Sequence, residues 1–239
     1  MTMKKIILAI IVSAAAAFSA SAQEFTSTPE FYTGSPYFSV GMVDYIGFGF
    51  TAPHEYYVNY SSSFEAHTSM FRNTEFFFNL VYMKFHPYPS GSLGMGMDLR
   101  WNGYRLKSPY YWRADGDGAA IVTDGSATYS KVNRSVLRIM SIDIPLDYSQ
   151  QIGPVNITLG VSCELNLPAH THFKGIDASS GTKVKEKYGN LDTEVITPGF
   201  HLYATYLGMG LYLKYRPIPQ LDSPDSPAFT TWTAGIILN

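Results

Sequence analysis

From Val155 to Leu167 every second residue is apolar: Val155, Ile157, Leu159, Val161, Cys163, Leu165 and Leu167 alternate with Asn156, Thr158, Gly160, Ser162, Glu164 and Asn166. A helix would spread these residues around its circumference, whereas a strand sorts them onto two faces. The stretch outlasts an ordinary strand of about 5 to 6 residues and meets the roughly 9 to 11 that a bilayer-crossing strand needs. Similar patterns predict strands over Phe38 to Phe50, Glu75 to His86, Leu93 to Tyr104, Ser135 to Tyr148, Val195 to Tyr206, Met209 to Arg216 and Thr230 to Leu238. Asp44 interrupts the apolar face of the first. The second is apolar on both faces, so its register stays open. Pro145 predicts a local bulge in the fourth.

The connections alternate in length. Thr51 to Thr74, Arg105 to Arg134, Pro168 to Glu194 and Pro217 to Phe229 are long, while Pro87 to Ser92, Ser149 to Pro154 and Leu207-Gly208 are short. Outer-membrane barrels show this asymmetry, with short periplasmic turns, longer extracellular loops and an even strand count. The prediction is an all-β protein, an eight-stranded antiparallel up-and-down transmembrane β-barrel. Alternation alone also allows a secreted lipocalin-like barrel or a sandwich, in which the apolar faces would point inward.

Composition favours the membrane. Charged residues make up only 15% of the chain, against about 25% in typical soluble proteins, and aromatics reach 15%, with 18 Tyr. Lys4 and Lys5, the apolar run Ile6 to Phe18 and Ala20-Ser21-Ala22 read as a secretory signal over residues 1–22, followed by an irregular lead-in over 23–37 and the barrel over 38–239. Without Lys4 and Lys5 the 17 basic residues fall to 15, against 19 acidic ones, a formal charge of −4. No basic stripe in the sequence points to nucleic acid. Cys163 is the single cysteine, so no intramolecular disulfide forms.

The signal ending at Ala22-Gln23, the segment Ser141-Ile142-Asp143-Ile144-Pro145-Leu146 before a short turn, the Gly-centred strand Val155 to Leu167 and the stretch LGMGLYLKYR from Leu207 to Arg216 resemble the small porin-like outer-membrane β-barrel proteins of Bacteroidetes. The resemblance implies a cell outer-membrane location. It departs from many such barrels at its end, Ile237-Leu238-Asn239, where they carry an aromatic residue.

Candidate chemistry is sparse. Asp98, Arg100, Asp143, Glu164, Lys214 and Arg216 fall on inward faces, where a narrow lumen forces charges to pair, predicting a structural salt-bridge plug. His67 and Ser69, near Glu65, resemble the His-x-Ser arrangement of lipid A deacylases and are weak catalytic candidates. Tyr110, Tyr111, Trp112 and Arg113 form an aromatic and Arg cluster suited to loop binding or to an outer aromatic girdle. His170 and His172 would project together from a strand but lack a third metal ligand, and Asp115-Gly116-Asp117-Gly118 starts a calcium-loop pattern without completing it. The loop around Lys183, Lys185 and Lys187 reads as a solvated basic segment. These residues predict no metal and no cofactor. The expected partners are outer-membrane lipid and an extracellular ligand or protein. The leading function is structural or surface-binding and non-enzymatic, with a lipid-modifying hydrolase or a narrow solute channel as alternatives.

Overall fold

The computed structural model describes residues 36–55 and 67–238. The signal over 1–22, nearly all of the lead-in over 23–37 and residues 56–66 of the first long connection lie outside the described residues. Among the described residues thirteen strands form in chain order: β1 (Tyr37–Gly41), β2 (Ile46–Glu55), β3 (Thr74–Tyr88), β4 (Gly91–Arg105), β5 (Tyr110–Ala114), β6 (Ala120–Asp124), β7 (Tyr129–Ile152), β8 (Val155–Asn166), β9 (Ala169–Asp177), β10 (Lys183–Leu191), β11 (Ile196–Tyr206), β12 (Met209–Arg216) and β13 (Phe229–Leu238). Eleven belong to one antiparallel sheet, and β5 and β6 make a separate hairpin.

The long strands follow one another around the sheet. β2 pairs with β3, β3 with β4, β4 with β7, β7 with β8, β8 with β11, β11 with β12 and β12 with β13. β13 then pairs back onto β2 over ten residues, from Phe229 opposite Glu55 to Leu238 opposite Ile46. At one end the connections are tight, with Gly153 (φ 58°) between β7 and β8 and Leu207-Gly208 (φ 48° and 80°) between β11 and β12. At the other end the chain builds an extension. β7 runs 24 residues, its first half pairs with β9, and β9 pairs with β10.

The apolar rows face out. Leu159 is 62% exposed, Leu211 67% and Leu146 51%, while Thr233, Asp98, Asp143 and Glu164 are fully buried. One outward row runs across the sheet through Met95, Leu146, Val161 and Phe200, which pair in that order. Polar groups occupy the interior and hydrocarbon the surface, the reverse of a water-soluble domain.

Three local expectations are corrected. The first strand is two strands, because the chain leaves the ladder at 42–45: Val43 takes φ 54°, Asp44 pairs with Lys84 at 2.7 Å, and Tyr45 turns inward to donate to Asp98. β1 and β2 therefore lie end to end along β3. No register shift marks Pro145, which stays opposite Ser162 of β8; the bulge lies in β3, between Asn79 and Val81. The connections 105–134 and 168–194 are not simple loops, because they contain β5, β6, β9, β10 and the start of β7.

That bulge settles the face of β3. Glu75, Phe77 and Asn79 point inward, the extra residue at Leu80 switches parity, and Tyr82 continues the inward row. The second strand is apolar on both sides because aromatic rings fill part of the interior that the sheet encloses. Tyr45, Phe77, Tyr82, Tyr203, Tyr212 and Ile237 pack together there.

Candidate functional site

Seven charged side chains with no exposed surface meet inside the sheet. Arg100 on β4 spans three carboxylates: Glu75 at 2.7 Å, Asp98 at 3.1 Å and Asp143 at 2.6 Å. Lys214 on β12 joins Asp143 at 2.8 Å to Glu164 at 2.5 Å. Arg216 closes the network onto Glu164 at 2.8 Å and Glu75 at 2.5 Å. These positions meet because each lies on the inward parity of its strand; Asp98, Asp143 and Glu164 are direct cross-strand partners. The six charged residues singled out from the sequence are all members. The seventh, Glu75, sits at the start of β3, where the doubly apolar strand hid the inward face.

Formal charges in this group are three positive and four negative. The excess is spread by neutral donors: the Tyr45 hydroxyl reaches Asp98 at 2.9 and 3.0 Å, and the Asn79 amide reaches it at 2.9 Å. The Arg100 guanidinium also lies 4.1 Å over the Phe77 ring. Such pairing compensates for the desolvation that isolated buried ions would suffer.

Toward the tight-turn end a smaller group repeats the design. Asp147 accepts from Tyr82 at 2.5 Å and lies 2.5 Å from His201 Nε2. Gly160, the cross-strand partner of both Asp147 and His201, leaves the space in which they meet. A Cβ there would collide with the Asp147 carboxylate and the His201 ring. Gly160→Ala is expected to destabilise the fold by about 1–3 kcal/mol through overpacking, read as a lower urea midpoint of unfolding. Beyond this group a cavity of about 40 Å³ opens among Asp44, Tyr45, Lys84 and Thr205.

Toward the long-connection end the network is roofed by hydrocarbon. Tyr104, Leu106, Trp112, Leu137, Leu191, Leu221 and Phe229 pack into a buried cluster. Gln220, from the connection between β12 and β13, accepts from the Tyr104 hydroxyl and donates to Glu164 at 3.3 Å. The outer segments fold down onto the sheet interior.

That roof revises the loop-binding candidates. Trp112 is fully buried, donating from its indole to Tyr104 O at 2.9 Å, and Tyr111 packs against Tyr129 and Phe173. Tyr110 stacks on His67 with ring centroids 3.5 Å apart, which leaves Arg113 as the exposed member of the four. Trp112 and Tyr111 are core residues of the extension and belong neither to a surface hot spot nor to a girdle. Ser69 precedes the 3-10 turn Met70–Arg72, accepting from Arg72 N at 2.9 Å through its carbonyl, and the intervening Thr68 donates to Arg105 O at 2.6 Å. His67 and Ser69 thus flank a structural corner.

His170 and His172 lie on β9 with ring centroids 5.3 Å apart, and among the described residues no further His, Cys, Asp or Glu completes a metal site with them. Burial, then the cations Lys187 and Arg138, push the His170 imidazole below its ordinary pKa. Asp115 accepts from Gly116 N at 2.7 Å and Gly118 N at 3.1 Å in the turn between β5 and β6. In the turn from β9 to β10, Asp177 accepts the Ser179 hydroxyl at 2.6 Å and the Ser180 amide at 2.8 Å, bonds that lower its pKa to about 2. A depressed carboxylate contributes fully above its unfolded value of about 3.9 and loses that contribution as pH falls through its folded value. The Ser179 and Ser180 amide resonances should therefore shift with a midpoint near pH 2 and stay unchanged between pH 5 and 7.

No family model matches the sequence, and no curated protein matches it. Among solved structures, the chain is similar to Ail, the attachment invasion locus protein of Yersinia pestis, determined in complex with the heparin analogue sucrose octasulfate. The two share 10% identity over 85% of this chain and 98% of that one, with a TM-score of 0.34.

Proposed function

We propose that β2, β3, β4, β7, β8, β11, β12 and β13 close into an eight-stranded outer-membrane barrel that serves as a structural, surface-binding protein through its outer extension. The observation that carries this reading is the inverted distribution of polarity. A lumen packed with Glu75, Asp98, Arg100, Asp143, Glu164, Lys214 and Arg216, all at zero exposure, lies inside a band of outward Leu, Ile, Val, Phe and Met. A lipocalin-like barrel would need the opposite arrangement. Eight strands leave an interior that side chains just fill, and here ion pairs and rings fill it. The segments Ser141 to Leu146 and Leu207 to Arg216, which resemble the Bacteroidetes porin-like proteins, supply Asp143, Lys214 and Arg216 to that plug.

A plug of side chains with zero exposure argues against solute conduction as the main activity. The outer extension then carries the function, with β9 and β10 paired onto β7 and the β5–β6 hairpin packed against their inner side instead of hanging as loose loops. The test pairs two measurements on the purified protein. A mobility shift on heating is expected, because a closed barrel resists detergent until boiled, and planar bilayers are expected to show no conductance steps above background. A soluble, heat-insensitive protein would overturn the barrel; regular conductance steps would overturn the plug.

A further inference from the structure

The outer face of the extension gathers cations from three adjacent strands. Arg134 on β7, Lys174 on β9 and Lys185 on β10 are direct cross-strand neighbours in one row. The next row on the same face runs Arg105, Val136, His172, Lys187. Arg138 and His170 follow on one side, and Lys131, Ile176 and Lys183 on the other. Eight of the chain's 17 Lys and Arg residues thus share one face. Glu186, the acid in β10, pairs with Phe173 and points the opposite way. Among the described residues, none of these eight cations enters a salt bridge.

Like charges directly opposite one another destabilise a sheet. Placing Arg134, Lys174 and Lys185 in one row is therefore unfavourable unless an anion lies across them. The two faces of the extension differ in just this respect. Tyr111 of the β5–β6 hairpin and Val132 and Phe173 pack against one another on the inner face, while the cationic side chains stand on the outer one.

The position of the face identifies the anion. Arg134 and Arg138 continue the outward row of β7 formed by Met140, Ile142, Ile144 and Leu146. Alternate residues of a strand share a side, at a rise of about 3.4 Å per residue. From Tyr148 to Arg138 the row covers about 34 Å of strand, which at a tilt of about 40° rises about 26 Å, the height of an apolar band about 25 Å tall. Arg138 thus stands at the margin of that band. The cations thus face sideways, immediately above the hydrocarbon, where the headgroups of the outer leaflet lie.

We propose that this face binds the phosphate groups of a phosphorylated outer-leaflet glycolipid, holding it as an annular ligand beside β7, β9 and β10. The proposal rests on the outer-membrane reading above. It goes further in naming a ligand chemistry and the surface that takes it.

The test titrates the full chain, refolded in neutral detergent, with lipid A carrying two phosphates, with the same lipid enzymatically dephosphorylated, and with soluble inorganic polyphosphate. The wild type should bind the phosphorylated lipid far more tightly than the dephosphorylated one, and less tightly as salt rises. A basic residue at an anionic surface contributes about fivefold, so the exposed triple variant Arg134→Gln, Lys174→Gln, Lys185→Gln should bind on the order of 100-fold more weakly. Its heat-dependent mobility shift should persist. The control Arg113→Gln, exposed on the β5–β6 hairpin and off this face, should bind as the wild type does. Equal binding of the two lipids, or an unaffected triple variant, overturns the proposal while a retained heat shift leaves the barrel standing. Tight binding of polyphosphate with none of lipid A overturns the lipid assignment in favour of a soluble polyanion. Loss of the heat shift in the wild type removes the barrel reading, and this proposal falls with it.

Discussion

Arg100→Ala should destabilise the protein by about 3–5 kcal/mol, the usual consequence of removing one partner from a buried ion group. The side chain makes three ion pairs at once, so its loss leaves Asp143 with Lys214, Glu75 with Arg216, and Asp98 with only the hydroxyl of Tyr45 and the amide of Asn79. Urea unfolding in vesicles, followed by the heat-shifted band, measures the effect. Arg100→Lys should recover little, because a point-like ammonium cannot reach three carboxylates that a planar guanidinium spans. Adding Asp98→Asn to Arg100→Ala should restore part of the loss, since the orphaned charge goes with it. If Arg100→Ala unfolds at the wild-type midpoint, the ion group is not what holds the interior together.

Val161→Arg should be nearly as damaging, for the opposite reason. Val161 stands mid-row on the outward face of β8, between Leu146 and Phe200, and is 47% exposed. On a water-soluble protein an exposed substitution of this kind stays within about 0.5 kcal/mol. On the lipid face of a barrel a midplane Arg costs about 2–4 kcal/mol. The variant should refold poorly into vesicles and unfold at lower urea, whereas Val161→Leu should behave as the wild type does. An Arg tolerated at this position would mean that the face meets water.

Some of this architecture is legible in the residues and some is masked by them. β12 spans Met209–Arg216, the limits that its alternation predicts, and β8 ends one residue before its predicted limit. Apart from the ring of Tyr212, both strands keep small or polar residues inward and hydrocarbon outward, so period and burial agree. β3 does not follow this rule, because Phe77 and Tyr82 point inward and the bulge at Leu80 changes the parity midway. Glu75 was lost to the same ambiguity. β9 carried a usable signal in Ala169, Thr171, Phe173 and Gly175, all buried, alternating with His170, His172 and Lys174. Its short length and polar partner strand β10 concealed it. Trp112 illustrates a different limit: an aromatic-rich segment reads alike on a membrane surface and in a core, and only the carbonyl of Tyr104 beneath its indole separates the two.

The ladder between β13 and β2 has a consequence in time. It joins residues such as Thr51 and Thr233, which share a 3.0 Å hydrogen bond across 182 positions of chain, whereas β11 and β12 meet across a two-residue turn. Closure entropy grows with the length of the closed segment, so the hairpins form early and this seam forms last. Until then the two strands present unpaired amides and carbonyls at opposite margins of a curling sheet. During that interval the chain is most open to mispairing with another copy, and whatever escorts it must shield both margins together.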